Sequence, residues 1–244
     1  MIELRNASKS FGEHRALVDV SLRFEDGKTT ALIGPSGCGK STLLRLVIGL
    51  IEADSGQVLV DGRQLGESNL LKLRREMGYV IQEGGLFPHL TAEQNVLLMH
   101  RHLGRNEQAG AQRLEELADL TQFPKDGLRK YPGELSGGQR QRVSLMRALA
   151  LDPKTLLLDE PLGALDPIIR NELQSELKEI FDKLRKTVIL VTHDMGEAAY
   201  LGDSIVLLKE GEVVQEGTLD DFKTRPKTEF VTQFLNAQRS LVAI

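Results

Sequence analysis

The chain has 244 residues, 41% hydrophobic and 27% charged, a composition that suits one large globular domain with a core of its own. Its formal net charge of −4 is too small for an acidic tail or a nucleic-acid-coating surface. Cys38 is the single cysteine, which excludes an intramolecular disulfide and fits a reducing, cytoplasmic setting.

Glu3, Arg5 and Lys9 interrupt the N-terminus, so no signal peptide is expected. The apolar runs Leu156–Leu158 and Val188–Val191 fall far short of the roughly 20 residues of a bilayer-spanning helix. Residues 1–33 read as β-rich: Ser21–Phe24 alternate, Asp26-Gly27 turns, and Thr29–Ile33 is a short buried strand. A glycine-rich loop and a helix over Lys40–Gly49 follow, then a strand at Val58–Val60 closed by Asp61-Gly62 and another at Gly78–Gln82. From Thr91 to Leu120 the apolar spacing is helical, and a further helix spans Ser136–Leu149. Thr155–Leu158, Pro167–Leu184 and Thr187–Thr192 then alternate as strand, helix and strand. Ile205–Leu208 and Glu212–Glu216 form a hairpin about Glu210-Gly211, and a helical tail covers Thr228–Asn236. This alternation predicts an α/β core with a largely parallel sheet, an antiparallel N-terminal β portion, and a helical insertion over about 86–150.

Gly34-Pro35-Ser36-Gly37-Cys38-Gly39-Lys40-Ser41 fits G-x-x-x-x-G-K-[ST] between a β-branched strand and a helix. Glycines let backbone amides turn inward, and the helix start attracts phosphate oxygens. Lys40 supplies a point charge for the β/γ-phosphates, and the Ser41 hydroxyl is a magnesium ligand. A glycine-rich turn with a surface lysine is the bland alternative, and the strand–loop–helix context argues against it. Cys38 reads as a small filler within the loop. Leu156–Leu158 is an apolar strand that ends in Asp159 and Glu160. Carboxyl ends of strands in open α/β sheets carry the ligand chemistry. Asp159 is thus placed to hold magnesium and Glu160 to polarise the attacking water, the alternative being a solvated acidic turn. Leu135-Ser136-Gly137-Gly138-Gln139 contains an S-x-x-Q capping box, with glycines baring the amides of a helix start.

Together these segments resemble the ABC ATPase family, and the resemblance covers essentially the whole chain. Gly34–Thr42 resembles its Walker A loop, Leu156–Glu160 its Walker B strand and Leu135–Gln139 its signature motif. Gln82 looks like the Q-loop glutamine, Gly163-Ala164-Leu165-Asp166 like the D-loop, and His193 like the switch histidine. Phe11 stands where the family stacks an aromatic on adenine. The resemblance implies one P-loop NTPase domain with its core over 1–85 and 151–244. It also implies a head-to-tail dimer trapping two Mg-ATP, each between one copy's phosphate loop and the other's Ser136–Gln139. Asp166 would communicate across that dimer, and His193 would contact the γ-phosphate.

Membrane permease subunits and a solute-binding protein are the implied partners, with the chain peripheral at the cytoplasmic face. Gly84–Leu90 reads either as a loop folded on its own core or as a hinge and groove for a permease helix. Gln82–Val96 and Ala164–Arg170 look most like importers of quaternary amines such as glycine betaine and choline, with amino-acid and other small-solute importers as rivals. The chain ends soon after Phe234, so no C-terminal regulatory domain of the CBS type is expected. A nucleic-acid ATPase would carry paired cassettes, coiled-coil arms or zinc modules. Arg140, Arg142 and Arg147 spread around one helix and read as paired or solvated.

Overall fold

A computed structural model describes residues 1–82, 84–163 and 165–240, the side chains of Arg239 and Ser240 excepted. Two compact units emerge: Met1–Arg74 with the chain from Arg185 onward, and Arg75–Leu184. Elements are numbered in chain order.

The first unit opens on β1 (Ile2–Phe11) and β2 (His14–Phe24), antiparallel from Ile2↔Phe24 to Phe11↔His14. Alternation buries Val20, Leu22 and Phe24 and exposes Ser21 and Arg23. On the far side of β1 lies β4 (Ser55–Val60), and β5 (Arg63–Gln64) adds to β4, both antiparallel. Asp61 and Gly62, at φ 50° and 73°, make the tight hairpin turn between them. A second sheet is built on β3 (Thr29–Ile33), which is buried at every residue as a strand with parallel neighbours on both sides must be. β3 pairs parallel with β8 (Thr187–Val191) and with β9 (Ser204–Lys209), and β10 (Glu212–Gly217) adds an antiparallel edge to β9. Helix α1 (Lys40–Val47) leaves β3, and α2 (Leu70–Arg75) follows β5. After β8 come α7 (Met195–Leu201), α8 (Leu219–Thr224) and α9 (Glu229–Ser240). Ala31, Ile33, Met195, Ile205, Phe222, Val231 and Leu235 form one buried cluster.

The second unit pairs β6 (Met77–Val80) parallel to β7 (Thr155–Asp159). Its helices are α3 (Ala92–His102), α4 (Glu107–Leu120), α5 (Gly137–Leu149) and α6 (Pro167–Leu184). α5 packs against both β6 and α3 and buries Val143, Met146 and Leu149. The helical spacing over Thr91–Leu120 resolves into two helices, α3 and α4. Gly104 turns into the left-handed region at φ 62°, and its amide closes on the Arg101 carbonyl at 3.0 Å. Asn106 then caps α4 by accepting from the Ala109 amide at 3.1 Å. The short α2 and α8 carry too few residues for periodicity to reveal them.

Asn95 organises the turn before α3. It is fully buried; its Oδ1 accepts from the Phe87 amide at 2.8 Å, and its Nδ2 donates to the carbonyls of Phe87, Leu90 and Thr91 at 3.0–3.1 Å. Asn95→Ala is expected to destabilise the protein by about 2–3 kcal/mol, because several backbone groups lose a partner at once. Equilibrium urea unfolding would measure it, with a change under about 0.5 kcal/mol counting against the clamp.

Candidate nucleotide-binding site

The phosphate loop connects β3 to α1 and is shaped by backbone crowding. Gly34, at φ 144°, has no room for a Cβ, which would lie 2.2 Å from the Leu208 carbonyl oxygen and 2.7 Å from the Cys38 sulfur. Gly39, at φ 105°, is equally confined, with the Ala16 carbonyl oxygen 2.3 Å from where a Cβ would stand. Only glycine satisfies both the dihedral and the space. Pro35, Ser36 and Gly37 form the exposed rim, while Cys38, Gly39 and Lys40 turn inward. Lys40 is only 7% exposed, and its Nζ donates to the Gly34 and Pro35 carbonyls at 2.8 and 3.0 Å. The ammonium is thereby held inside the loop's curl, with the Cys38 sulfur 3.6 Å away. Buried Cys38 fills this turn, as a small residue at that position should. Ser41 and Thr42 lie half-buried in the first turn of α1, where helix amides favour anionic oxygen.

The loop is braced from outside by a contact that the sequence did not reveal. The Gly211 amide donates to the Cys38 carbonyl at 3.2 Å, and the Gly211 carbonyl accepts from the Val18 amide at 2.9 Å. Glu210-Gly211 read only as a hairpin turn; in the structure it also ties the phosphate loop to β2. Phe11 ends β1 with its ring 48% exposed and the Lys9 ammonium 5.7 Å from the ring centre. An exposed aromatic at a strand end can stack a base.

His193 follows β8 with its residue exposed and its carbonyl accepting from the Gln238 amide nitrogen at 3.2 Å. Asp194 caps α7, accepting from the Gly196 and Glu197 amides at 2.6 and 3.1 Å. The Glu197 carboxylate accepts from the buried Thr192 hydroxyl at 2.6 Å, because burial demands a donor close by and Thr192 provides one.

In the second unit β7 delivers Asp159, only 4% exposed, and Glu160 at the strand's carboxyl end. Glu160 has φ 48°, a left-handed conformation that costs a non-glycine residue about 1–3 kcal/mol. The Gly163 amide donates to the Glu160 carbonyl at 3.2 Å, and a Cβ on Gly163 would stand 3.3 Å from a Glu160 carboxylate oxygen. Ser136 and Gln139 make the reciprocal capping box, at 3.2 Å for Ser136 Oγ and 3.0 Å for Gln139 Oε1. Leu135 anchors this helix start in the core, Ser136 is exposed, and Gly138 fits beneath Ile169, where a Cβ would stand 2.8 Å from a methyl carbon. A cleft of about 390 Å³ is lined by Gln82, Gly137, Arg140, Glu160 and Gly163 among others. It brings Gln82, the acidic strand end and the bared helix tip to one place. Asp166 caps α6, its carboxylate accepting from the Ile168 and Ile169 amides at 3.2 and 3.1 Å. Ala164 of the same segment and Glu83 beside Gln82 lie outside the described residues.

The loop after Gln82 meets the first expectation for it. Its backbone is folded onto its own unit: Ser144 Oγ donates to the Gly84 carbonyl at 2.8 Å, and Arg147 donates to the carbonyls of Gly84 and Gly85 at 2.9 and 2.8 Å. Burial lowers the Arg147 pKa from its ordinary value. The Phe87 ring nevertheless remains 42% exposed, with the Arg147 guanidinium 6.0 Å from its centre. The three arginines of α5 are engaged: Arg140 donates to the Leu135 carbonyl, and Arg142 bridges Glu176 at two points, 3.0 and 2.5 Å. Asn95 has no part in the motifs of the sequence, and Arg147, expected to be paired or solvated, is paired with backbone carbonyls. A polar residue next to Val96 on an apolar helix face was the available signal for Asn95.

A glycine-confined loop of this form between a parallel strand and a helix defines a P-loop NTPase fold. The chain belongs to the ABC transporter family, whose description matches residues 17–163. It is 45% identical to the choline transport ATP-binding protein OpuBA of Bacillus subtilis over 98% of this chain and 63% of that protein. It is 44% identical to the glycine betaine uptake system ATP-binding protein YehX of Escherichia coli over 96% of this chain and 76% of the other. The dimeric post-hydrolysis structure of the ATP-binding cassette MJ0796 bound to ADP and Pi is similar at a TM-score of 0.80 and 35% identity. That match covers 90% of this chain and 99% of the other. The chain thus spans somewhat under two thirds of the length of OpuBA.

Proposed function

We propose that this chain is the ATP-hydrolysing motor subunit of a bacterial small-solute importer. The reading is carried by Lys40, a buried ammonium curled inside a loop that has no room for a Cβ at Gly34 or Gly39. Such an ammonium exchanges carbonyl partners for the β/γ-phosphates of ATP at small desolvation cost, since it is already out of water. Phe11 offers its exposed ring to the adenine. Ser136–Gln139 of a second copy presents its bared amides to the same triphosphate, which makes ATP the contact that joins two copies head to tail. Glu160 orients and deprotonates the attacking water, His193 holds the γ-phosphate, and Asp166 links the two sites.

Ser41, Gln82 and Asp159 offer oxygen donors alone, the set that suits Mg²⁺, an ion that keeps several waters and takes few protein ligands. When bound, the ion neutralises charge on the phosphate oxygens.

Among the described residues no helix is long and apolar enough to cross a membrane, and the relatives' transport names support permease subunits as partners. The exposed Phe87 beside the tethered Gly84–Gly85 backbone suits a permease helix packing at the cytoplasmic face. A solute-binding protein completes the system, and the named relatives favour a quaternary amine such as choline or glycine betaine as cargo. Engagement of all three α5 arginines leaves little for a nucleic-acid face. Phosphate release from Mg-ATP by the purified chain, with and without added DNA, tests the assignment. Hydrolysis indifferent to DNA is expected. No ATP binding, or strong stimulation by DNA, would overturn it.

A further inference from the structure

The peptide unit between His193 and Asp194 is held at both of its polar atoms. Its N–H, on Asp194, donates to the Thr192 hydroxyl at 3.0 Å. Its carbonyl, on His193, accepts from the Gln238 side chain at 3.2 Å. The first bond is local and belongs to a buried group, since Thr192 also donates to Glu197 and its amide reaches the Leu32 carbonyl at 3.1 Å. The second arrives from 45 residues further along the chain.

The donor sits on a well-seated helix. Val231 and Leu235 of α9 are buried in the core cluster with Phe230 and Phe234 packed against it, and the Lys209 ammonium lies 4.7 Å from the Phe230 ring centre. Positions 231, 235 and 238 fall at i, i+4 and i+7, so the face that buries the two apolar residues also carries Gln238 toward β8.

We propose that Gln238 is a positioning residue for His193, and that α9 thereby sets the efficiency of hydrolysis. A peptide plane bonded at both polar atoms cannot rotate, which fixes ψ of His193 and the base from which its imidazole projects. Loss of the Gln238 donor removes one of the bonds that hold the plane, and the imidazole samples a wider set of directions. A group that must meet a γ-phosphate within a few tenths of an ångström then spends less time in place. Nucleotide affinity is set by the phosphate loop and should not change. The inference rests on the assignment of His193 given above.

The test uses the full chain with Mg-ATP. Gln238→Glu keeps the shape and removes the donor, and Gln238→Met is a second variant of similar bulk should the carboxylate disturb the fold. Either is expected to lower kcat about twofold to tenfold, the span of one net hydrogen bond, with the Kd for ATP unchanged. In a His193→Ala background the same substitution should lower kcat no further. Unchanged kcat in both variants, or an undiminished fall when His193 is already absent, would overturn the proposal while leaving the motor assignment intact. If His193→Ala by itself left kcat unaltered, the role of His193 would fall first, and this inference with it.

Discussion

Glu160→Gln is expected to bind ATP as the native chain does and to lose turnover by about 10²–10⁴-fold, the contribution of a positioned general base. Glutamine copies the carboxylate in size and in accepting hydrogen bonds, but it cannot take a proton from water. Several features indicate that the native carboxylate is held for a purpose. Glu160 sits in a left-handed conformation at the end of a fully buried strand, and the following turn provides a glycine where a Cβ would crowd its carboxylate. It also lines the cleft with Gln82 and Gly137. Conformational strain of about 1–3 kcal/mol survives where the surroundings require that geometry. The variant should in addition accumulate as an ATP-bound dimer, because nothing then discharges the nucleotide that joins two copies. Sedimentation in Mg-ATP is expected to show twice the monomer mass. Native turnover in the variant would remove Glu160 from its role, and a strictly monomeric variant would remove the head-to-tail site.

Lys40→Ala is expected to act on binding instead, weakening ATP by about 10- to 100-fold, the equivalent of one charge-assisted hydrogen-bond system worth roughly 1.5–3 kcal/mol. The same change should cost stability without any nucleotide. Lys40 Nζ satisfies the Gly34 and Pro35 carbonyls, and alanine would leave them without that partner, at about 1–3 kcal/mol. Arginine should not rescue binding, because a planar fork does not fit a curl shaped around a compact ammonium. Isothermal titration and urea unfolding separate the two effects. Equal ATP affinity in Lys40→Ala would place phosphate recognition elsewhere.

Much of the chemistry was written in short local strings. The glycines of Gly34–Gly39, the S-x-x-Q pair at Ser136 and Gln139, and the acidic end of an apolar strand each depend on neighbours within a few residues. Their dihedrals, caps and strand ends follow from local sequence, and the structure places them in those roles. Buried strands such as β3 and β8 were equally legible, because unbroken runs of β-branched and aliphatic residues have no other stable use at that length. Periodicity could not see the break at Gly104, where one left-handed residue ends a helix whose apolar spacing runs on. Nor could it find α2 or α8, too short to complete a pattern.

The sequence by itself singled out the segments proposed to carry phosphate chemistry, because motif geometry is set by bonds between residues that are close along the chain. Only the tertiary structure decided what holds those segments still. The Gly211 amide on the phosphate loop, Asn95 inside the turn at Phe87, Arg147 on the Gly84–Gly85 backbone and Gln238 on His193 meet their partners across 8 to 173 residues, or by way of backbone atoms. A carbonyl oxygen is the same at every residue, so no string of letters marks the one that a distant side chain will reach.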